Sequence, residues 1–313
     1  MNSNTVHRTP VAIVGAGPTG VSAATLLAQY GVECLVVDRW PTVYPQPRAV
    51  HMDDEVARIV ERLGIGAQFA AISKPALGLR LLDSRQRVLA EFHRDTALSR
   101  NGFAQANMFD QPEFEALLRA NLSGYPGIRL LSDCEVTDLA ADSDSPIRIT
   151  ATHRADGGEH TILADYVLGC DGANSLVRHR IGTVMRDFGF RQRWLVVDLT
   201  SDVDLQQWDG VHQVCDPHRA GTYMRIGPRR HRWEFQLLDG ESAPDFGSVQ
   251  ALRPLIDPWT AGIGDGDLRL VRVAEYTFRA QIADRWRAGR VFLLGDAARS
   301  EEHTSELQSP ECI

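Results

Sequence analysis

A Gly-x-Gly-x-x-Gly run set between an apolar strand and a helix, and two later apolar runs ending in Asp-Gly and Gly-Asp, predict an α/β fold. The part that carries these runs is Rossmann-like. Segments of strand-like alternation between them predict a β-rich (α+β) second domain inserted into the first. At 313 residues and 43% hydrophobic content the chain is long enough to build both cores.

The elements follow in order. VAIV (residues 11–14) is a short apolar run bounded by glycine and reads as a buried strand. In the fingerprint that follows, Gly15 permits the tight turn, Gly17 lets a pyrophosphate approach the backbone, and Gly20 lets helix and strand pack closely. Pro18 lies at the expected helix start. VSAATLLAQY (21–30) has helical spacing, and Gly31 stands where a helix stops. The helix N-terminus offers free N–H groups and the positive end of a dipole to an anion. ECLVVD (33–38) is a second buried strand, and its terminal Asp38 can accept the ribose hydroxyls of an adenosine. The pattern does not separate NAD from FAD. Asp53, Asp54 and Glu55 read as first-turn acids of the next helix. Asp110 and Pro112 read as the N-cap and first-turn proline opening EFEALLRANL. LADYVLG (163–169) is an apolar strand before Asp171-Gly172, and VFLL (291–294) is another before Gly295-Asp296. YMRI and RWEFQLL alternate like strands, with GPRRH as the loop of a hairpin.

Composition excludes several classes. The formal charge is −8 and no Lys/Arg-rich run is present, which argues against nucleic acid. The N-terminal apolar run is too short for a signal peptide or a membrane span. The five cysteines are scattered without a CxxC pair, as expected of reduced thiols in a cytoplasmic protein. The histidines lack ligand spacing, so no metal is expected.

Taken together, GAGPTG, YPQPRAVHMDDE, LGCDGANSLVRHRIG and VFLLGDAA resemble the class A FAD-dependent aromatic hydroxylases, a family of flavoprotein monooxygenases. Within it the chain is most similar to 3-(3-hydroxyphenyl)propionate/3-hydroxycinnamate hydroxylases, through PRAVHMDDE, QANMFDQPEFEALLRANL, VCDPHRAGTYMRIGPRRHRWEF and FRAQIADRWRAGRVFLLGDAA. The resemblance implies a Rossmann-like FAD-binding domain over residues 1–74, 110–185 and 281–298. It implies a β-rich substrate domain over 75–109 and 186–280. NADH or NADPH would reduce the flavin. O₂ would then form a C4a-hydroperoxyflavin that hydroxylates a phenolic aromatic acid.

The same resemblance assigns FAD contacts to Gly15, Gly17, Pro18, Gly20, Asp38, Arg39, Arg48, Gln111, Asp171, Gly172, Arg178, Gly295 and Asp296. It names no catalytic side chain. Several positions keep a second reading. Gln111 is a flavin contact or one more polar residue of a helix's first turn. Arg178 serves the nucleotides or neutralises a helix C-terminus. Cys170 reads as a small core residue rather than a reactive thiol. Arg229, Arg230 and Arg232 read as a solvated loop, with a substrate carboxylate site as the alternative. The tryptophans read as core, with a lining for an apolar aromatic pocket as the alternative.

After GDAA the family pattern fails. RSEEHTSELQS (299–309) matches the in-frame translation of a sequencing-library adapter. Residues 299–313 are therefore expected to be a non-native tail on a C-terminally truncated chain, which would then be an inactive fragment. The alternatives to the hydroxylase reading are another FAD-binding oxidoreductase on the same frame, a halogenase or reductase, and an FAD-binding remnant without turnover.

Overall fold

The computed structural model describes residues 5–45, 48–94, 96–141 and 145–301. Pro47 of the PRA turn, part of the acidic loop after residue 141, and tail residues 302–313 lie outside the described residues.

The first sheet has eight strands. Its parallel centre runs Val291–Leu293, Glu159–Gly169, Thr5–Val14, Cys34–Val37, Ile128–Leu131. Arg287–Ala288 pairs antiparallel at one edge, and Cys134–Ala140 with Ile147–His153 forms an antiparallel ribbon on Glu159–Gly169. VAIV is buried on both faces, as an apolar run inside a parallel sheet must be. Strand alternation then divides its side chains. Val11 and Ile13 join the core under the helices, with Val21, Ala24 and Phe114. Ala12 and Val14 join the opposite core, with Ile149, Ile162 and Leu293.

The first helix spans Pro18–Gln29, three residues earlier than the apolar spacing alone indicates. Pro18 occupies the first helical position, where its missing N–H costs nothing. Gly31 ends the helix at φ +76°, and the Val32 N–H bonds back to the Leu27 carbonyl. Asp53 caps Asp54–Arg62 by accepting the Val56 N–H. Asp110 stands at the cap position of Gln111–Asn121, but its side chain makes no capping bond. It pairs with Arg230 of the second sheet instead.

The second sheet also has eight strands, in the order Arg299–Glu301, Leu268–Ala283, Met185–Ser201, Arg230–Gln236, Gly221–Arg225, Val211–Val214, Gly78–Leu82, Val88–His93. The expected hairpin is present, and its turn is 226–229 rather than 227–231, because Arg230 and His231 pair with the first strand. The helix Val249–Thr260, not read from the sequence, packs Leu252, Ile256 and Trp259 onto Leu195, Val197 and Trp233. A small sheet of His51–Asp53, Ala106–Met108 and Lys74–Pro75 completes the fold. Among the described residues no helix is long and apolar enough to cross a membrane.

The arginine run differs from its expected solvated loop. Only Arg229 is solvent-exposed, beside Asp202. Arg232 is 1% exposed and pairs with the buried Asp198 at 2.7 Å, because both faces of its strand are covered and alternation turns it away from Trp233. The tryptophans divide as well. Trp233 and Trp259 are core, whereas Trp286 is half exposed.

Candidate functional site

The fingerprint loop is built by close backbone approach. A Cβ on Gly15 would lie 2.3 Å from the Cys170 carbonyl oxygen, and one on Gly20 would lie 1.9 Å from the Gly15 carbonyl oxygen. Both positions therefore exclude any side chain. Gly17 differs, since a Cβ there would meet nothing within 4 Å. The loop is closed by protein behind Gly15 and Gly20 and open in front of Gly17. Gly17 also precedes the Pro18–Gln29 helix without a side-chain cap, which leaves the first-turn N–H groups directed at that opening.

Asp38 ends its strand beside the loop and is almost fully buried. Its Oδ2 accepts the Ala16 N–H at 2.6 Å and its Oδ1 accepts the Trp40 N–H at 2.8 Å. Arg119 donates to the Ala16 carbonyl at 3.2 Å and stands 3.6 Å from Asp38. Ala16, at the centre of the fingerprint, is thus held at both its N–H and its carbonyl.

A second wall is the Arg48–Ala49 segment. Gln111 Oε1 accepts the N–H of both residues, each at 2.7 Å. Gln111 Nε2 donates to Glu115 Oε1 at 2.6 Å. From the second sheet, Arg232 donates to the Arg48 carbonyl at 2.7 Å. Burial pushes the Glu115 carboxyl above its ordinary pKa, and the hydrogen bond from Gln111 opposes the rise.

The third wall is the segment after the Glu159–Gly169 strand. Asp171 accepts from the Ser175 hydroxyl at 2.5 Å and from the Val177 N–H at 3.1 Å, so it orders the turn into Leu176–Arg180. Arg178 is 5% exposed and donates to the Ala173 and Ala297 carbonyls. That joins this turn to Gly295–Ala297. Gly295, at φ +59°, abuts Thr19 in the first turn of the first helix. Asp296 projects into the opening. The surrounding walls raise its pKa by desolvation although the side chain keeps contact with solvent, and the charge of Arg48 opposes the rise.

These walls enclose one cleft of about 540 Å³. Of the sequence-predicted residues, Gly15, Gly17, Pro18, Asp38, Arg39, Arg48, Gln111, Asp171, Gly172 and Asp296 line it. Gly20, Arg178 and Gly295 do not. Gly20 packs behind the loop, Arg178 bonds carbonyls behind the wall, and Gly295 borders a neighbouring hollow with Trp286 and Thr19. Cys170 lines the cleft too, and burial pushes its thiol up to about 12, away from the thiolate form. Glu115, Arg119, Trp40, Tyr44 and Asn174 also line the cleft and were not read from the sequence. The available signal was the i, i+4 polar stripe Gln111, Glu115, Arg119 along one face of the helix. The space in front of Gly17 is open to a pyrophosphate, because a Cβ there would meet no protein atom within 4 Å.

Residues 8–304 match the family described as FAD binding domain. The chain is 32% identical over 288 residues to a probable NADH-specific resorcinol 4-hydroxylase of Rhodococcus jostii, covering 92% of this chain and 53% of that protein. It is 33% identical over 300 residues to a 3-(3-hydroxy-phenyl)propionate/3-hydroxycinnamic acid hydroxylase of Burkholderia cenocepacia, covering 95% and 54%. The chain thus spans about half the length of the curated relatives it matches. Among solved structures, aklavinone-11 hydroxylase in its complex with FAD and aklavinone superposes with TM-score 0.82 at 26% identity, over 100% of this chain and 61% of that one. The p-nitrophenol 4-monooxygenase of Pseudomonas putida shares the fold, with TM-score 0.84 at 20% identity over 95% and 74%. On the match over residues 8–304, this chain belongs to the family of FAD-binding domains.

Proposed function

We propose that the cleft binds FAD and that the protein is an NAD(P)H-dependent monooxygenase that hydroxylates a phenolic aromatic acid resembling 3-(3-hydroxyphenyl)propionate. The observation that carries this reading is convergence. The Gly15–Gly17 loop, Asp38, the Arg48 segment, Asp171–Gly172 and Asp296 are far apart in sequence and line one cleft. The names of the hydroxylase relatives support the reaction class.

The chain's own groups have definable tasks. The Gly17 opening and the helix N-terminus receive the pyrophosphate. Asp38 holds the Ala16 peptide and presents its remaining lone pairs to ribose hydroxyls. Arg48 supplies positive charge opposite Asp296. The Asp171 turn closes the far wall, with Arg178 tying it to the Gly295 turn. Residues 75–109 and 186–280 contribute the substrate side, through the second sheet and its Arg232–Arg48 link. FAD, when bound, supplies the redox and oxygen chemistry, and the protein orients the ring and excludes water.

The test is to titrate the purified chain with FAD and follow NADH and NADPH oxidation with and without 3-(3-hydroxyphenyl)propionate under ¹⁸O₂. Bound flavin, stimulated oxidation and one labelled oxygen in the product support the reading. Bound flavin without turnover restricts it to FAD binding. A product without label overturns the monooxygenase reading.

A further inference from the structure

We infer that Glu115 is a positioning residue of the cleft, which sets the side-chain amide of Gln111 so that its carbonyl, and not its NH₂, faces the Arg48–Ala49 backbone. The inference rests on the FAD reading of the cleft only for its affinity readout. The geometry itself is complete within the chain.

Gln111 stands between two groups of opposite character. On one side are two backbone donors, Arg48 N–H and Ala49 N–H, each 2.7 Å from Oε1. On the other is a carboxylate oxygen, Glu115 Oε1, 2.6 Å from Nε2. An ionised carboxylate only accepts, and a backbone N–H only donates. A single amide satisfies both sides in one orientation. Turned over, it would face its NH₂ to two donors and its carbonyl to a carboxylate. An acceptor at residue 115, one helical turn from Gln111, therefore specifies the arrangement at residues 48 and 49. Glu115 is 7% exposed, so water cannot readily replace it as acceptor. The next turn repeats the design, since Arg119 holds the Ala16 carbonyl of the fingerprint loop. One helix face thus sets two walls of the cleft. The Arg48 side chain depends on the first of them, because its backbone is fixed on the N–H side by Gln111 and on the carbonyl side by Arg232.

A swap of the two residues tests this. Gln111→Glu alone sets two carboxyls against each other. Glu115→Gln alone lets either end of residue 115 face Gln111. The double variant restores a carboxylate that accepts from Arg48 and Ala49 and an amide that donates to it. Two readouts are taken. The first is amide exchange at Ala49 in the ligand-free protein. The second is FAD affinity by flavin fluorescence. We expect Gln111→Glu to weaken FAD binding at least about tenfold near about pH 8 and to recover as pH falls and the carboxyl pair takes up a proton. Exchange at Ala49 should quicken in parallel, with Glu115→Gln intermediate. The double variant should return both readouts to within about threefold of the original, without the pH dependence. A double variant as impaired as Gln111→Glu, or a Glu115→Gln protein whose Ala49 exchange is unchanged, overturns the inference. If the unaltered protein binds no FAD, the cofactor reading fails, and the exchange measurements still decide the role of Glu115.

Discussion

Asp38 and Ala16 are joined by a 2.6 Å hydrogen bond from the Ala16 backbone N–H to Asp38 Oδ2, which ties the end of one strand to the centre of the glycine loop at the end of its neighbour. The carboxylate expected to receive a ribose thus also shapes the loop expected to receive the pyrophosphate. One substitution should affect both.

In Asp38→Ala the Ala16 and Trp40 N–H groups lose their acceptor. FAD affinity is expected to fall by about 1–3 kcal/mol, the scale of lost hydrogen bonds to a charged group. Fluorescence titration measures it, and an unchanged dissociation constant removes Asp38 from the site.

The glycines should separate ligand effects from folding effects. Gly17→Ala places a methyl where no protein atom lies within 4 Å. Its stability should stay within about 0.5 kcal/mol of the original, while FAD affinity falls because the methyl meets the pyrophosphate. Gly20→Ala drives a methyl into the Gly15 carbonyl and should cost about 1–3 kcal/mol or more of stability. Thermal melts without FAD, paired with titrations, distinguish the two. Equal destabilisation by both variants would contradict an open cradle at Gly17.

Stability should fall in mild acid. His212 and His231 are buried in the second sheet, His212 accepting from the Trp259 indole N–H and His231 paired with the Tyr223 hydroxyl. Burial lowers both pKa values to about 4, aided by the charges of Arg80 and Arg225 respectively. In the unfolded chain each titrates near about 6.5, so the unfolded state gains protons first as pH falls. The stability they confer is complete above about pH 6.5 and is lost as pH drops from there towards about 4, at most about 3 kcal/mol per residue. Urea unfolding at about pH 7 and about pH 5 checks the slope. A His212→Gln, His231→Gln variant should flatten it, and an identical slope in that variant would assign the effect elsewhere.

The Asp198–Arg232 pair should be destabilising to break. Asp198→Asn removes the bidentate partner of a guanidinium that is 1% exposed, at an expected cost of about 3–5 kcal/mol. The effect should reach the cleft, because the same guanidinium holds the Arg48 carbonyl. Denaturant unfolding gives the cost, and amide exchange at residues 48–49 reports the transmission. A loss below about 1 kcal/mol would show that Glu234, 4.0 Å away, suffices as partner.

Local requirements were legible in the sequence. The positive φ of Gly15, the close approach of Gly20 to the Gly15 carbonyl, the first-helix proline and the stop at Gly31 each answer a constraint that acts within a few residues. The Cys170 carbonyl that also bars a side chain at Gly15 comes from a distant part of the chain. Asp110 shows the limit. Its cap position was readable, but its carboxylate turns to Arg230, more than a hundred residues away. Glu115 and Arg119 show another. On a helix read alone, polar residues indicate solvent, and here they face a cleft.

By itself, then, the sequence determined the α/β order, the nucleotide loop and the backbone turns at Gly15 and Gly31, because sterics and periodicity are properties of neighbouring residues. Only the tertiary structure decided that Arg178 braces two carbonyls behind the wall, that Arg232 is buried against Asp198, and that Gln111 carries the Arg48 segment. A long polar side chain can reach many partners of similar chemistry. Which one it meets is set when sheet pairing and helix packing bring distant backbone groups within about 3 Å, the reach of a hydrogen bond.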